Sequence, residues 1–519
     1  MRVRVEDIAN QYKDLIIKYR RDIHQYPELG YQEFRTGNKV AKILEKIGLE
    51  VYTGIGKTGV VALLRGKKQG STIALRADMD ALPIKEKTNL SYASKNEGIM
   101  HACGHDMHTA ILLGVAYVLK DLKDELKGTV KFIFQPAEEN NPTGGAKRMI
   151  EDGVLDNPKV DFMLGLHVWP ALKTGEVGFK EGPLMAASDR IFIKIKGNSA
   201  HGSMPEQGID AGVIAAQVIL AIQTIVSRNI SSLDSCVISI GKINGGYRYN
   251  VIPDEVVLEG TVRNLNQTVR EKLPKRMEML INGVVSGMGG TYEFKYVFGY
   301  PPLINNKVLS IKVEESVKKI IGGLNFVSIS KPSLGGEDFA FFAQKVPSVF
   351  MWLGCRPKHI DLEDFPPIHN PKFNPDEEAL QIGVKSRTAK RNVSIDDTLI
   401  KELKKHKTRQ NKLKLTSWHD EDFVFTKIIN YPGYPETPKQ IELKMAQILK
   451  KSNIATLLTP HGLRHTHASL LAQAGVRLQE IMDRLGHQDD NITRNIYLHV
   501  TKDMKKEALQ KFSKLMQNL

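Results

Sequence analysis

Four short polar clusters in the first 370 residues carry the residue types of a metal centre. They are Cys103 and His105 in HACGHDMHTA, Glu138 and Glu139 in FQPAEEN, His167 in GLHVWP, and His369 in PPIHNPKF. A thiolate, imidazoles and carboxylates together suit Zn, Mn, Co or Ni better than Ca or Mg, which favour oxygen donors. Two adjacent glutamates also permit a division of labour. One can bind metal while the other stays free as a general base toward a water. Each cluster alone has a plainer reading. A Cys-x-His is ordinarily packing, a Glu-Glu pair a solvated helix start, and a lone histidine a satisfied core residue. Their joint occurrence, mostly at predicted strand ends or helix starts, favours chemistry.

The elements that must position these clusters form an α/β pattern. STIALRADMDAL (71–82), GTVKFIFQP (128–136) and VDFMLGLH (160–167) read as buried strands, and the stretch from Glu6 to Tyr26 has helical spacing. Ile111, Leu112, Val115, Val118, Leu119 and Leu122 share one face of a helix. This alternation predicts a doubly wound sheet, and sites in such sheets collect at the carboxyl ends of strands. Near Ser188 the texture changes to strict alternation, then helix, two strands, helix and strand. This predicts an inserted α+β domain over 187–297, between catalytic segments 1–186 and 298–385. The helix opening at Asn374-Pro375-Asp376 should run well past Val384, yet the text turns to KSRTAKRNVSIDDTLIKELKKHK. A junction is therefore expected within a few residues of Lys385, followed by a mainly α segment over 386–519.

The length of 519 residues exceeds what one core supports. Charges interrupt every apolar run at the N-terminus, so no signal peptide is read there, and no run of 18 apolar residues suggests a membrane span. Three scattered cysteines, Cys103, Cys236 and Cys355, make no disulfide framework. A cytoplasmic setting is expected. The net charge of +15 is uneven: residues 386–519 hold 24 Lys and Arg against 14 Asp and Glu, so they carry +10 of it. Such asymmetry points either to contact with a polyanion or to a lysine-rich solvated face.

The segments MHACGHDMHTA, FQPAEE, GLHVWP, HGSMPEQGID, NVIPDEVVLEGTVR and GGEDFAFF, in this order, resemble the bacterial and plant amidohydrolases that cleave N-acyl amino acids, among them hippurate and auxin-conjugate hydrolases. The resemblance covers about residues 15–385. It implies two divalent metal ions bound by Cys103, His105, Glu139, His167 and His369, with Glu138 as general base. It makes 187–297 a lid that mediates a homodimer. It gives His201 the tetrahedral intermediate, often across that dimer, and Asn250 and Arg263 the substrate carboxylate. Asp80 becomes the partner that orients a ligand. The implied reaction is metal-assisted hydrolysis of an amide. One departure stands at the loop after the glutamates, where the family usually has a glycine run and this chain has Asn140-Asn141-Pro142-Thr143-Gly144-Gly145.

The tail holds TPHGLRHTHASLLAQAG and DRLGHQDDNITRNIYLHV, which resemble the tyrosine recombinases of phages and transposons. By that resemblance His461, Arg464 and His487 are active-site residues and Tyr497 is the nucleophile. The family's other essential arginine and its core-binding domain have no room ahead of residue 386. The expectation is an amidohydrolase with an incomplete recombinase segment that binds DNA weakly. The alternatives are a DNA-integration protein using the hydrolase fold as a platform, and a non-functional fusion of two genes.

Overall fold

The computed structural model describes residues 2–388, within a first compact unit that runs Met1–Arg391. The recombinase-like His461, Arg464, His487 and Tyr497 lie outside the described residues.

Eight strands make the main sheet. Their spatial order is Glu50–Ile55, Gly59–Arg65, Lys127–Gln135, Lys68–Asp78, Phe162–Lys173, Ser348–Arg356, Val177–Phe179 and Phe326–Ser328. The middle four pair in parallel, and the edge at Glu50–Ile55 is antiparallel. Sandwiching between helix layers explains the near-continuous apolar strands. Every residue of Ser348–Arg356 is buried. On one face lie Lys13–Gln25, Phe34–Lys46, His105–Asp121, Lys307–Ile321 and Glu378–Thr388. The other face is covered by Gly144–Glu151 and Phe339–Ala343. The N-terminal helical stretch is broken at Tyr12 into Arg2–Gln11 and Lys13–Gln25. Helix His105–Asp121 is buried along most of its length. It is crossed closely at Gly114, where a Cβ would stand 2.6 Å from Ile16 Cδ1 and 2.8 Å from Val384 Cγ2.

A second, antiparallel sheet has the order Thr291–Tyr300, Ala187–Lys196, Glu255–Asn264, Cys236–Gly245. Strict alternation sends Ile191, Ile193 and Ile195 inward against helices Ala211–Thr224 and Gln267–Gly287. Each such buried side chain contributes about 1.5–3 kcal/mol. Both helices start at capping side chains: Asp210 accepts from Gly212 N and Val213 N, and Asn266 from Thr268 N and Val269 N. At one end of this second sheet, buried Asp189 binds Arg270 at 2.6 Å and also accepts from Tyr296 Oη and Gly299 N.

No run of 18 consecutive apolar residues occurs, yet one helix among the described residues passes a test of average hydropathy. Ala211–Asn229 is long and apolar enough to cross a bilayer, with a mean hydropathy of 1.6. Gln217, Gln223 and other polar residues interrupt it, so a count of consecutive apolar residues misses it. Its Ile214, Val218, Ile222 and Ile225 are buried in the core of the second sheet's domain, while Val213 and Leu220 are exposed.

The last described helix does not stop at the change of texture. Glu378–Thr388 continues past Lys385, and Ser386, Arg387 and Thr388 are all buried. The helix thus buries apolar Leu380 and Val384 first and a polar last turn after them.

Candidate metal centre

The backbone brings the donors together from four places. Cys103 and His105 flank Gly104, whose left-handed φ of 89° starts helix His105–Asp121 and whose missing Cβ leaves room for Val168. Glu138 and Glu139 sit on the loop after Lys127–Gln135, His167 lies within Phe162–Lys173, and His369 is on the loop before the last helix. His369 has a left-handed φ of 64°, and its N–H donates to Ala102 O at 2.8 Å.

Cys103 Sγ is 3.3 Å from His167 Nε2, and His369 Nε2 is 3.2 Å from Glu139 Oε1. Three overlapping groups have their donor atoms within 4.8 Å of one another: Cys103–His105–His167, Cys103–Glu139–His369 and His105–Glu138–Glu139. That is more donors than one tetrahedral ion uses. The imidazoles are prepared as metal ligands are. His105 Nδ1 faces Asp80, at 2.9 Å from its carbonyl and 3.2 Å from Oδ1. Its buried Nε2 has no hydrogen-bond partner. His167 Nδ1 donates to Val168 O at 2.6 Å, which leaves Nε2 facing the thiol. Outer contacts of this kind fix tautomer and ring orientation, and an orphaned nitrogen inside a donor cluster fits a cation.

The electrostatics agree. Asp78, Asp80, Glu138, Glu337 and Asp338 are all buried. Arg76 meets Asp78, Glu337 and Asp338 at 2.7–2.9 Å. Two buried guanidiniums, Arg76 and Arg387, do not balance five buried carboxyls in a dry site, and bound cations would. Burial, with Glu337, Glu139 and Asp338 adding, pushes the Glu138 carboxyl well above its usual range. Burial also raises Glu139, but the His369 hydrogen bond and the His105 charge outweigh it and hold that carboxyl low. The Cys103 thiol is pushed far up by burial beside Glu139 and Glu138, a preference that a cation reverses.

A cavity of about 330 Å³ is lined by Cys103, Glu138, Glu139, His167 and His369, and also by Arg263 and Tyr300. Arg263 donates from Nε to Thr261 Oγ1 at 3.1 Å and makes no ion pair among the described residues. His201 and Asn250 are not among the lining residues. His201 is exposed on the lid with Nδ1 2.6 Å from Ser203 Oγ, and Asn250 O accepts from Gly202 N nearby.

Side chains from three other segments hold the glutamate loop at three successive positions, two of them from residues without a sequence signal. Ala137 N donates to Glu33 Oε1 at 2.8 Å, Glu138 O accepts from Tyr300 Oη, and Glu139 N donates to Asp80 Oδ2 at 2.9 Å. Asp80 was singled out; Glu33 and Tyr300 were not. The divergent loop is also tied to the lid, because Asn141 Nδ2 donates to Ser188 Oγ at 3.0 Å. Glu337 and Asp338 belong to GGEDFAFF, so a motif pointed to them without indicating their task.

A mixed α/β sheet with a thiol–imidazole–carboxylate cluster and an inserted sheet domain defines a class of metal-dependent hydrolase. The chain belongs to peptidase family M20/M25/M40, whose family model matches residues 74–388. It is 44% identical over 365 residues to the N-acetyl-L-cysteine deacetylase of Bacillus subtilis (strain 168), covering 70% of this chain and 84% of that protein. It is also 44% identical over 301 residues to the N-acyl-L-amino acid amidohydrolase of Geobacillus stearothermophilus, covering 58% of this chain and 80% of the relative. The fold matches the YXEP protein of Bacillus subtilis, a dinuclear metal binding peptidase from the M20 family. The TM-score is 0.62 at 38% identity, over 73% of this chain and 97% of that one. A model of the phage integrase family matches residues 373–504. The two family matches thus overlap across 373–388, the stretch containing the expected junction.

Proposed function

We propose that this protein hydrolyses the amide bond of N-acyl amino acids with two divalent cations held by Cys103, His105, Glu139, His167 and His369. The observation that carries the reading is the placement of Glu138. It lines the donor cavity beside Glu139, yet Glu139 is the one turned to His369. Zn, Mn, Co or Ni suits the donor set, and such a pair supplies Lewis acidity toward a carbonyl and acidifies water. Glu138 takes the proton of the attacking water and returns it to the leaving amine. Arg263, lining the cavity without an acidic partner, holds the substrate carboxylate. Asp80 keeps His105 and Glu139 aimed.

His201 and Asn250 lie outside the cavity of their own chain, which supports a homodimer through the lid in which His201 serves the neighbouring protomer. Exposed Val213, Leu220, Val237 and Ile243 on the lid favour such an interface. The working units are a catalytic domain of 1–186 and 298–385, the lid of 187–297 and the tail of 386–519. A metal-binding thiol that must stay reduced, with no disulfide among the described cysteines, supports a cytoplasmic location.

The test is hydrolysis of an N-acyl amino acid panel with added Mn or Zn, comparing the full chain with Glu138→Ala. Loss of about 100-fold or more supports the reading, in line with general-base contributions. Equal rates sink it. The integrase match supports a second, smaller reading. The tail is a recombinase segment that binds DNA weakly and salt-sensitively through its basic surface. Lacking a second arginine for the transferring phosphoryl group, it exchanges no strands. Covalent capture of Tyr497 on a nicked duplex would overturn that.

A further inference from the structure

Glu33 occupies the N-cap of helix Phe34–Lys46 but makes no capping hydrogen bond. Glu28 does that work, accepting from Arg35 N at 2.9 Å and Thr36 N at 2.8 Å. An N-cap side chain ordinarily satisfies the first amides of its own helix. Glu33 is turned away and buried completely, with its two oxygens divided between two partners. Oε2 accepts from Thr58 Oγ1 at 2.6 Å, and Oε1 accepts from Ala137 N at 2.8 Å.

Ala137 is the residue before the two glutamates. Its φ is +54°, a left-handed conformation that costs a non-glycine residue energy and persists where neighbours over-determine it. Its carbonyl is engaged by Gly145 N at 3.0 Å, and its amide is satisfied by Glu33. The same N-terminal turn grips the far end of the loop, where Tyr31 Oη donates to Gly144 O at 2.7 Å. The loop that carries a proposed base and a proposed metal ligand is thus braced from residues more than 100 positions away.

From this geometry we propose that Glu33 is a positioning residue for the Glu138–Glu139 loop, acting by reach: its carboxylate oxygen locks Ala137 left-handed and thereby aims both glutamates. This deepens the amidohydrolase reading and rests on it for its catalytic consequence. Burial, with the Asp80 charge adding, raises the Glu33 carboxyl to about 7. Gln keeps the length and an oxygen for Ala137 N, and its amide can donate to Thr58 Oγ1, whereas Asp is one methylene too short to reach both.

The experiment compares Glu33→Gln, Glu33→Asp and Glu33→Asp/Ala137→Gly with the full-length wild type. Three quantities are read: amide hydrogen exchange of the peptide spanning 136–144, affinity for added Zn, and kcat and KM per metal-loaded site. Gln keeps the reach and should hold kcat within about threefold, whereas Asp falls short of Ala137 and should lose about 10- to 100-fold in kcat with little change in KM. Asp should also exchange faster over 136–144 and bind Zn more weakly. Adding Ala137→Gly should recover part of the loss, because glycine adopts the left-handed conformation without strain. A role in stability alone would lower the melting temperature of Asp and leave its kcat per loaded site intact. Unchanged exchange and kcat in Asp, or a loss in Gln as large as in Asp, overturns the proposal. If the wild type cleaves no N-acyl amino acid, the amidohydrolase reading fails by itself, and exchange with Zn affinity still decides the role of Glu33.

Discussion

Arg387 Nη2 donates to the backbone carbonyl of Arg76 at 2.6 Å, across 311 positions. Arg76 stands in a central strand of the catalytic sheet, and Arg387 lies just beyond the residue where the sequence changes texture. The contact satisfies one carbonyl but leaves Arg387 Nε and Nη1 buried without a hydrogen-bond partner among the described residues, with only the charge of Asp78 to offset burial. Burial lowers its pKa from 12.5 to about 9, so the charge persists at neutral pH and costs stability. Replacing a poorly partnered buried charge by an apolar side chain of similar length stabilises many proteins. Arg387→Met should raise the melting temperature by about 2–5 °C without changing kcat/KM. A fall in melting temperature would mean that the bond to Arg76 outweighs the desolvation.

Removing metal should expose the acidity that Arg76 and Arg387 do not balance. Chelation is expected to abolish turnover and to lower the melting temperature, and Mn or Zn should restore both. Glu138→Gln separates the two effects. It removes a buried carboxyl crowded by Glu337, Glu139 and Asp338, so the metal-free variant should melt higher than the metal-free wild type while remaining inactive with metal. Thermal scans of the chelated and loaded forms check both halves. A lower melting temperature for metal-free Glu138→Gln contradicts the electrostatic account.

Glu33 has a pH signature of its own. Its carboxyl rises from 4.5 to about 7 through burial and then Asp80, only partly offset by Thr58 and the Ala137 amide. A raised acid pKa means that the folded state holds a proton the unfolded chain has released. Stability is therefore lost as pH climbs from 4.5 toward 7 and is flat above that. Glu33→Gln removes this dependence. The variant should match the wild type near pH 4.5 and become the more stable of the two by pH 8, measured in one metal state throughout. A stability difference that shrinks as pH rises would refute the linkage.

These contrasts show what a sequence exposes. Cys103, His105, Glu139, His167 and His369 announce themselves because their residue types are uncommon together and each cluster sits at a strand or helix boundary. The lid is readable at Ala187–Lys196 because one side of its sheet is buried and the other is not. Glu33 and Tyr300 are ordinary residues in ordinary contexts, and their work depends on contacts spanning 104 and 162 positions that no local pattern encodes. His201 and Asn250 were legible as motif residues, but their position outside the cavity depends on how the lid is held. The junction was visible as a change of texture at Lys385. The burial of Ser386, Arg387 and Thr388 was not, because three polar residues give no reason to expect it.

The last described helix, Glu378–Thr388, is packed into the core of the first unit. Gly383 lies so close to Ile111 that a Cβ there would stand 2.6 Å from Ile111 Cδ1, and Leu380 and Val384 are fully buried. All residues lining the cavity precede residue 370. A chain ending at Arg391, where the first compact unit closes, retains every residue that lines the cavity and should keep kcat/KM within about twofold. A chain ending at Asp376 loses Leu380 and Val384, each contributing about 1.5–3 kcal/mol, and bares the helix His105–Asp121 that starts at a proposed metal ligand. It should be insoluble or melt far lower. Purification, thermal scans and N-acyl amino acid turnover of the two truncations decide the matter. If the Arg391 chain is dead while the full chain is active, residues 392–519 are part of the working enzyme.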